Sequence, residues 1–186
     1  GRCRPASGGL ATLVTDNRAF RAVAPGRPGP HWKDGRWTHT AIGAGGTQVH
    51  VINVYGWPQG TPDHSKNQNT LWREMFGHVA GLGDVPWIMA GDWNATPEQV
   101  WAPALAPRTS GWLPDVGGRR PTCFPVRGEP TENDFFLVSH SLRGAVADYE
   151  FLPIGILPTH RAVRLTLRLA ALREPVACQV PQEAQD

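Results

Sequence analysis

Three short strings in the 186-residue chain carry residue types whose spacing can do chemistry. In WIMAGDWNATPEQ a continuous apolar run delivers Gly91, Asp92, Trp93 and Asn94 just ahead of a helix start, the place where open α/β sheets hold ligands. Asp and Asn two apart on an extended chain point to the same side, so the carboxylate of Asp92 and the carboxamide of Asn94 can converge on a phosphate, a metal ion or a water. A G-D-x-N string arises by chance in a chain of this length on the order of a few per cent of the time. Its plain alternative is a turn in which both side chains satisfy backbone groups.

The second string is NDFFLVSHSL, which sets Asp134 at the mouth of an otherwise apolar strand, and PTHRAVRLTL sets His160 at the mouth of another. A titratable residue opening a buried strand needs a partner, and an Asp–His pair holds an imidazole in one tautomer and raises its basicity. Perturbed groups cluster at functional sites, so the pair Asp134 and His160 strengthens the pair Asp92 and Asn94. Tyr55, closing a strand before GWPQG, can add a phenol to the same rim. Trp57 and Trp93 are aromatics that could stack on bases, although tryptophan is more often a packing residue. Cys123 has no neighbouring signature that would activate a thiol.

The elements that must position these residues follow from periodicity. Leu10 to Val14 is a short apolar run after Gly8 and Gly9 and reads as a buried strand. Residues 22–35 hold PGRPGP and read as a loop. Arg36 to Ile42 and Thr47 to Tyr55 alternate around GAGG, which predicts a hairpin. From Thr61 the period becomes helical, with Asp63 as the cap, Leu71, Met75, Val79 and Leu82 on one face, and an end at Gly81 and Gly83. Val85 to Ala90 is a buried strand, and Thr96 with Pro97 opens a short helix to about Leu105. After the Pro- and Gly-rich stretch 107–130, strands are predicted over 134–138, 146–152 and 162–169. Strand, helix and strand in succession give an α/β fold class.

Composition bounds the rest. Hydrophobic residues make up 40% of the chain, enough for a core, while 21 Gly and 18 Pro without a period predict many turns. The net charge of +2 makes no strong electrostatic case for nucleic acid or an anionic membrane. The cations are nonetheless lopsided: Lys33 and Lys66 are the lysines and the rest are arginines, which suits planar phosphate recognition. Cys3, Cys123 and Cys178 form no C-x-x-C pair, which fits an intracellular compartment. No stretch approaches the roughly 18 apolar residues of a membrane span, and GRCRPASGG carries no apolar signal region. One domain is expected over 1–172, with a disordered tail over 173–186.

The order GGLATLV, VINVYGWP, IMAGDWNATPEQ, PTCF, NDFFLVSHSL, PTHRAVRLTL resembles the endonuclease/exonuclease/phosphatase superfamily from Gly8 to Leu169. NDFFLVSHSL is most like the abasic-site endonucleases, and NVYGWP is more like the endonuclease domains of non-LTR retrotransposons. The resemblance implies a two-sheet, four-layer α/β sandwich of the deoxyribonuclease kind and metal-assisted phosphodiester hydrolysis with Mg²⁺ or Mn²⁺. It implies that Asp92 activates or orients the attacking water, that Asn94 contacts the phosphate, and that both stand near the metal. It also implies that Asp134 orients His160, that His160 stabilises the phosphorane oxygens, and that Tyr55 lies near the scissile phosphate. DNA or another phosphodiester is the implied substrate, with no membrane partner. The implied setting is a nuclear monomer joined to a reverse transcriptase domain.

Two departures accompany the resemblance. Thr159 stands before His160 where the family has an aspartate, which weakens a second metal site. The family's first strand-helix-strand unit, with its Asn and its metal-binding Glu, has no counterpart here, and Gly1 in place of Met fits an incomplete amino end. The expectation is an isolated chain with an open sheet edge, poorly stable and inactive. Three further readings stay open: hydrolysis of an inositol phosphate or lipid headgroup, although no lysine-rich loop is present; an inactive nucleic-acid-binding relic; and, distantly, a thiol hydrolase using Cys123 and His160.

Overall fold

The structure is a computed structural model that describes residues 10–14, 19–44, 46–101, 109–114, 117–118, 120–155, 159–168 and 170. Its centre is a mixed six-stranded sheet. β1 (Phe20–Ala22), β2 (Trp37–Ala44) and β3 (Thr47–Tyr55) pair antiparallel in sequence, β4 (Trp87–Asp92) lies parallel to β3, and β6 (Asp134–Ser139) runs antiparallel to β4. The two-residue β5 (Gly111–Trp112) closes that edge, so the strand order is β1-β2-β3-β4-β6-β5. The parallel step from β3 to β4 requires a crossover, and the predicted amphipathic helix supplies it as α2 (His64–Ala80).

Strand alternation divides the core into two. The even residues of β3, Ile52 and Val54, join Trp37, Met89, Phe135 and Leu137 under Leu71, Trp72, Met75, Phe76 and Val79 of α2. On the other face Val49, Ile88 and Val138 pack with Leu142 and Ala145 and meet Leu165 and Leu167 of a second, two-stranded sheet. That sheet pairs β7 (Val146–Phe151) with β8 (Val163–Leu167). Helix, large sheet and small sheet are thus three layers among the described residues, consistent with a deoxyribonuclease-like sandwich, and the expected fourth, a helical layer outside the small sheet, is not among them. The short α1 (Pro30–Lys33) is docked on α2 by Glu74, whose carboxylate accepts from the backbone N–H groups of His31 and Trp32 and from the Trp37 indole.

Several expectations are corrected. Leu10 to Val14 is not a strand: Leu13 is 92% exposed, and the run is tied to β3 through Asn53, whose Nδ2 donates to Ala11 O and Thr12 Oγ1. The edge strand is the exposed Phe20–Ala22, and the predicted loop over 22–35 contains α1. Asp63 stands at the start of α2 but does not cap it with its side chain, because its backbone is left-handed at φ 56°. Thr96 does cap α3 (Pro97–Val100), and the box is completed by Gln99. The helix stops short of Trp101, its C-cap, and the remainder of the predicted helix over 102–105, like the tail over 173–186, lies outside the described residues.

Candidate active site

The site begins with three aligned strand ends. Tyr55 of β3 is in register with Asp92 of β4, and Asp92 is in register with Asp134 of β6. Registered neighbours share a sheet face, so a phenol and two carboxylates stand in a row on the face toward the small sheet. His160 enters from the opposite layer, just ahead of β8. Its Nδ1 meets Asp134 Oδ2 at 2.8 Å, which fixes the tautomer and leaves Nε2 as the ring nitrogen open to a ligand.

Asp92 and Asn94 do converge, although strand alternation is not the reason. Asn94 lies past the strand in a left-handed turn at φ 46°, a conformation Asn tolerates better than most residues. Its backbone N–H donates to Asp92 Oδ1 at 3.0 Å, and its Nδ2 donates to Asp92 Oδ2 and to the Gly56 carbonyl, each at 3.2 Å. Two glycines make this crowding possible. A Cβ on Gly91 would sit 2.0 Å from the Val54 carbonyl oxygen, and one on Gly56 would sit 2.0 Å from that of Trp93.

Burial sets the electrostatics. It pushes the Asp92 carboxyl above its ordinary range, and the facing Asp134 pushes the same way, against the hydrogen bonds from Asn94. Asp134 is also pushed up by burial, with His160 and a hydrogen bond from Thr122 pulling it back. Two half-buried carboxylates side by side are a place where a cation is favoured. Asp92 and the free carboxamide oxygen of Asn94 offer hard oxygen ligands, and no group of three acidic, His or Cys side chains among the described residues is arranged to hold a metal. Such a donor set fits Mg²⁺, which keeps several waters and shares substrate phosphates.

Thr122 is the site residue that the sequence reading left without a role. Fully buried, its hydroxyl oxygen accepts from the backbone N–H groups of Asn133 (3.0 Å) and Asp134 (2.8 Å). Around it the segment 122–124 forms a clasp. Thr122 and Cys123 N–H both reach the Thr131 carbonyl, Phe124 N–H reaches Thr159 O at 2.8 Å, and Arg161 N–H reaches Thr122 O at 2.6 Å. Cys123 also bridges to His160 in an antiparallel pair. Asp134 and His160, from different sheets, are therefore held through one short segment. The PTCF string marked the place, but a lone hydroxyl in a Pro-rich stretch shows no periodicity from which to infer its partners.

Both aromatic expectations change. Trp93 is not available to a ligand: it is fully buried on the helix side, stacked on Phe135 at 5.1 Å, and its indole N–H donates to the Phe135 carbonyl. The alternation that turns Asp92 toward the small sheet turns Trp93 away from it. Trp57 is half-buried and packed against the core, with the Arg36 guanidinium 3.8 Å from its ring centroid. Arg36 also lies 5.0 Å from the Tyr55 ring and donates to the Gly56 carbonyl, so a cation stands at the rim beside Asn94. The Cys123 thiol is pushed up by burial and by Asp92 and Asp134, which keeps it protonated and disfavours the thiol-hydrolase reading.

No protein-family model matches the chain, and no curated protein sequence matches it. Solved structures do. The endonuclease domain of TRAS1, a telomere-specific non-LTR retrotransposon, superposes with a TM-score of 0.64 at 11% identity, covering 84% of this chain and 71% of that one. The AP endonuclease LMAP of Leishmania major gives 0.64 at 15% identity, covering 80% of this chain and 61% of that one. The chain shares the fold of these endonucleases. The 3' phosphatase NExo of Neisseria, bound to a product DNA hairpin, shares this fold with a TM-score of 0.58 at 17% identity, over 83% of this chain and 72% of its own. A beta toxin of Staphylococcus aureus with bound magnesium ions gives 0.50 at 16% identity, over 73% of this chain and 54% of that one. The shared fold thus covers most of this chain and a little under three quarters of the length of its retrotransposon neighbour.

Proposed function

We propose that this domain hydrolyses phosphodiester bonds in DNA as a divalent-metal-dependent endonuclease of a retroelement-like protein. The observation that carries the reading is the 2.8 Å contact of His160 with Asp134, directly beside an Asp92 locked to Asn94. Asp92, raised by burial, is suited to take a proton from a water at the strand end. Nε2 of His160 is suited to hydrogen-bond a phosphoryl oxygen as charge develops there. Asp134 keeps the ring oriented while this happens. Mg²⁺, held by Asp92 and Asn94, would neutralise charge on the phosphate. A retrotransposon endonuclease domain and a phosphatase bound to DNA among the structural neighbours favour nucleic acid as the substrate.

The test is nicking of supercoiled plasmid by the protein in Mg²⁺ and in EDTA. Nicking should require the metal and fall by about 10²- to 10⁴-fold in Asp92→Ala and in His160→Ala. Nicking that survives both substitutions sinks the proposal. Turnover of inositol phosphates or sphingomyelin without action on DNA would move the substrate to a headgroup.

A further inference from the structure

The face that α2 turns to the core is apolar at Leu71, Trp72, Met75, Phe76 and Val79 and polar at one place, Gln68. At 3% exposure this carboxamide is as buried as its apolar neighbours, and a polar group in such a place is costly unless it is hydrogen-bonded. Its Oε1 accepts from Trp57 N–H at 2.8 Å, and its Nε2 donates to the Trp93 carbonyl. A leucine would complete the helix face and hold neither group.

Those two groups belong to the loops that leave the reaction face. Trp57 follows Tyr55 out of β3, and Trp93 lies between Asp92 and Asn94 at the end of β4. The loops already touch at Gly56, whose N–H donates to the Asp92 carbonyl at 2.7 Å and whose own carbonyl accepts from Asn94 Nδ2. Gln68 adds a tie one residue further along. The fit is close, because a Cβ on Gly56 would lie 3.0 Å from Gln68 Nε2 as well as 2.0 Å from the Trp93 carbonyl oxygen. The Trp93 carbonyl and the Asn94 N–H are the two ends of one planar trans peptide and point in opposite directions. One end goes to Gln68 on the helix side, and the other donates to Asp92 Oδ1 on the reaction face. Fixing the carbonyl therefore fixes the N–H. Asn94 is left-handed at φ 46°, a backbone state that persists where its surroundings over-determine it.

We propose that Gln68 is a positioning residue for the strand-end site: it orients the 93–94 peptide from behind, and so holds the Asp92 carboxylate and the Asn94 carboxamide in their shared geometry. Its consequence for catalysis rests on the phosphodiesterase reading above, whereas the brace itself rests on the hydrogen bonds. Gln68 acts only through the backbone of the two loops and presents nothing to a substrate.

Two variants of the full chain test this. Gln68→Met keeps the length and the apolar contacts and removes both bonds. Gln68→Glu keeps the shape: protonated, its carboxyl can accept from Trp57 N–H and donate to the Trp93 carbonyl, and ionised it has no donor for that carbonyl. The readout is the Asn94 backbone amide resonance, compared at each pH with that of wild type. It should shift in Gln68→Met. In Gln68→Glu it should coincide with wild type on the acid side and move to the Gln68→Met position as the carboxyl ionises, with a midpoint that burial places above the ordinary glutamate value of about 4.3. A resonance that stays at the wild-type position in a folded Gln68→Met, or in Gln68→Glu at every pH, overturns the proposal. Gln68→Glu decides the matter even where Gln68→Met does not fold. In plasmid nicking, kcat of Gln68→Met should fall by about 10²-fold with KM little changed, as a displacement of about 1 Å costs, and Gln68→Glu should regain activity relative to wild type as the pH falls. Undiminished kcat in Gln68→Met also overturns the proposal. The amide shift needs no turnover, so its appearance in a chain that does not nick DNA would sink the hydrolase and keep the brace.

Discussion

Asp92 and Asp134 face each other across β4 and β6, yet their surroundings differ. Asp134 has His160 and Thr122 to favour its charge, whereas Asp92 has Asn94 and His160 but also feels Asp134 as a like charge. A reaction that needs Asp92 ionised must therefore weaken as the pH falls through a value above the ordinary 3.8. In Asp134→Asn one of the two raising influences is gone, so the acid limb of kcat/KM should move to lower pH even as the rate falls with the loss of the His160 anchor. A profile whose limb stays in place or moves up would contradict the assigned coupling. The convergence of Asp92, Asn94, Asp134 and His160 was legible in the sequence because each stands at one end of an apolar run, and a polar group there needs a reason. Thr122 was not legible, because its partners are backbone N–H groups eleven and twelve residues away.

At the scale of elements, the turn after β4 does two jobs through alternation. Asp92 goes to the reaction face and Trp93 to the core, where it stacks on Phe135 and donates to its carbonyl. Trp93→Ala should cost about 3–5 kcal/mol, as truncation of a buried aromatic does, and Trp93→Phe should cost less, because the stacking survives and only the hydrogen bond is lost. Denaturant midpoints of the two variants provide the check. The parity that buries Trp93 was available in WIMAGDWN, since Trp87 and Met89 precede it on the same face; what hid it was the pull of a tryptophan flanked by two site residues. The hairpin, α2 and the strands β4, β6, β7 and β8 were read correctly because their periodicities persist over whole elements. Leu10 to Val14 failed because five residues give too short a pattern, and among the described residues nothing covers Leu13.

At the scale of the whole molecule, a second set of titrating groups lies far along β3 from the reaction face. His78 of α2, His39 of β2 and His50 of β3 form a chain of ring-to-ring contacts at 2.9 and 2.8 Å. Burial lowers all three, His39 to about 3, with His78 and His50 adding to its shift. Depressed histidines stay neutral in the fold while the unfolded chain takes up protons near 6.5, so their stabilising contribution is full above that pH and is lost as pH falls toward 3. Asp92 and Asp134, raised in the fold, oppose this on acidification. The measurable consequence is a melting temperature that declines from about pH 6.5 downward. His39→Gln, which can bridge both neighbours without titrating, should flatten that decline; an unchanged slope would place the acid sensitivity elsewhere.

The clasp at residues 122–124 has one more consequence. The residues from Pro125 to Pro130 project from it, all exposed, with Val126 at 93%, and the chain re-enters at Thr131 opposite Cys123. Because that neck is sealed by backbone bonds, the alignment of Asp134 with His160 does not depend on what the projecting chain contains. Lengthening it costs only loop-closure entropy, about 0.6 kcal/mol per doubling. The projection is thus a natural mounting point: a dye, an affinity handle or a second targeting module spliced at 126–128 would ride beside the cleft without loosening it.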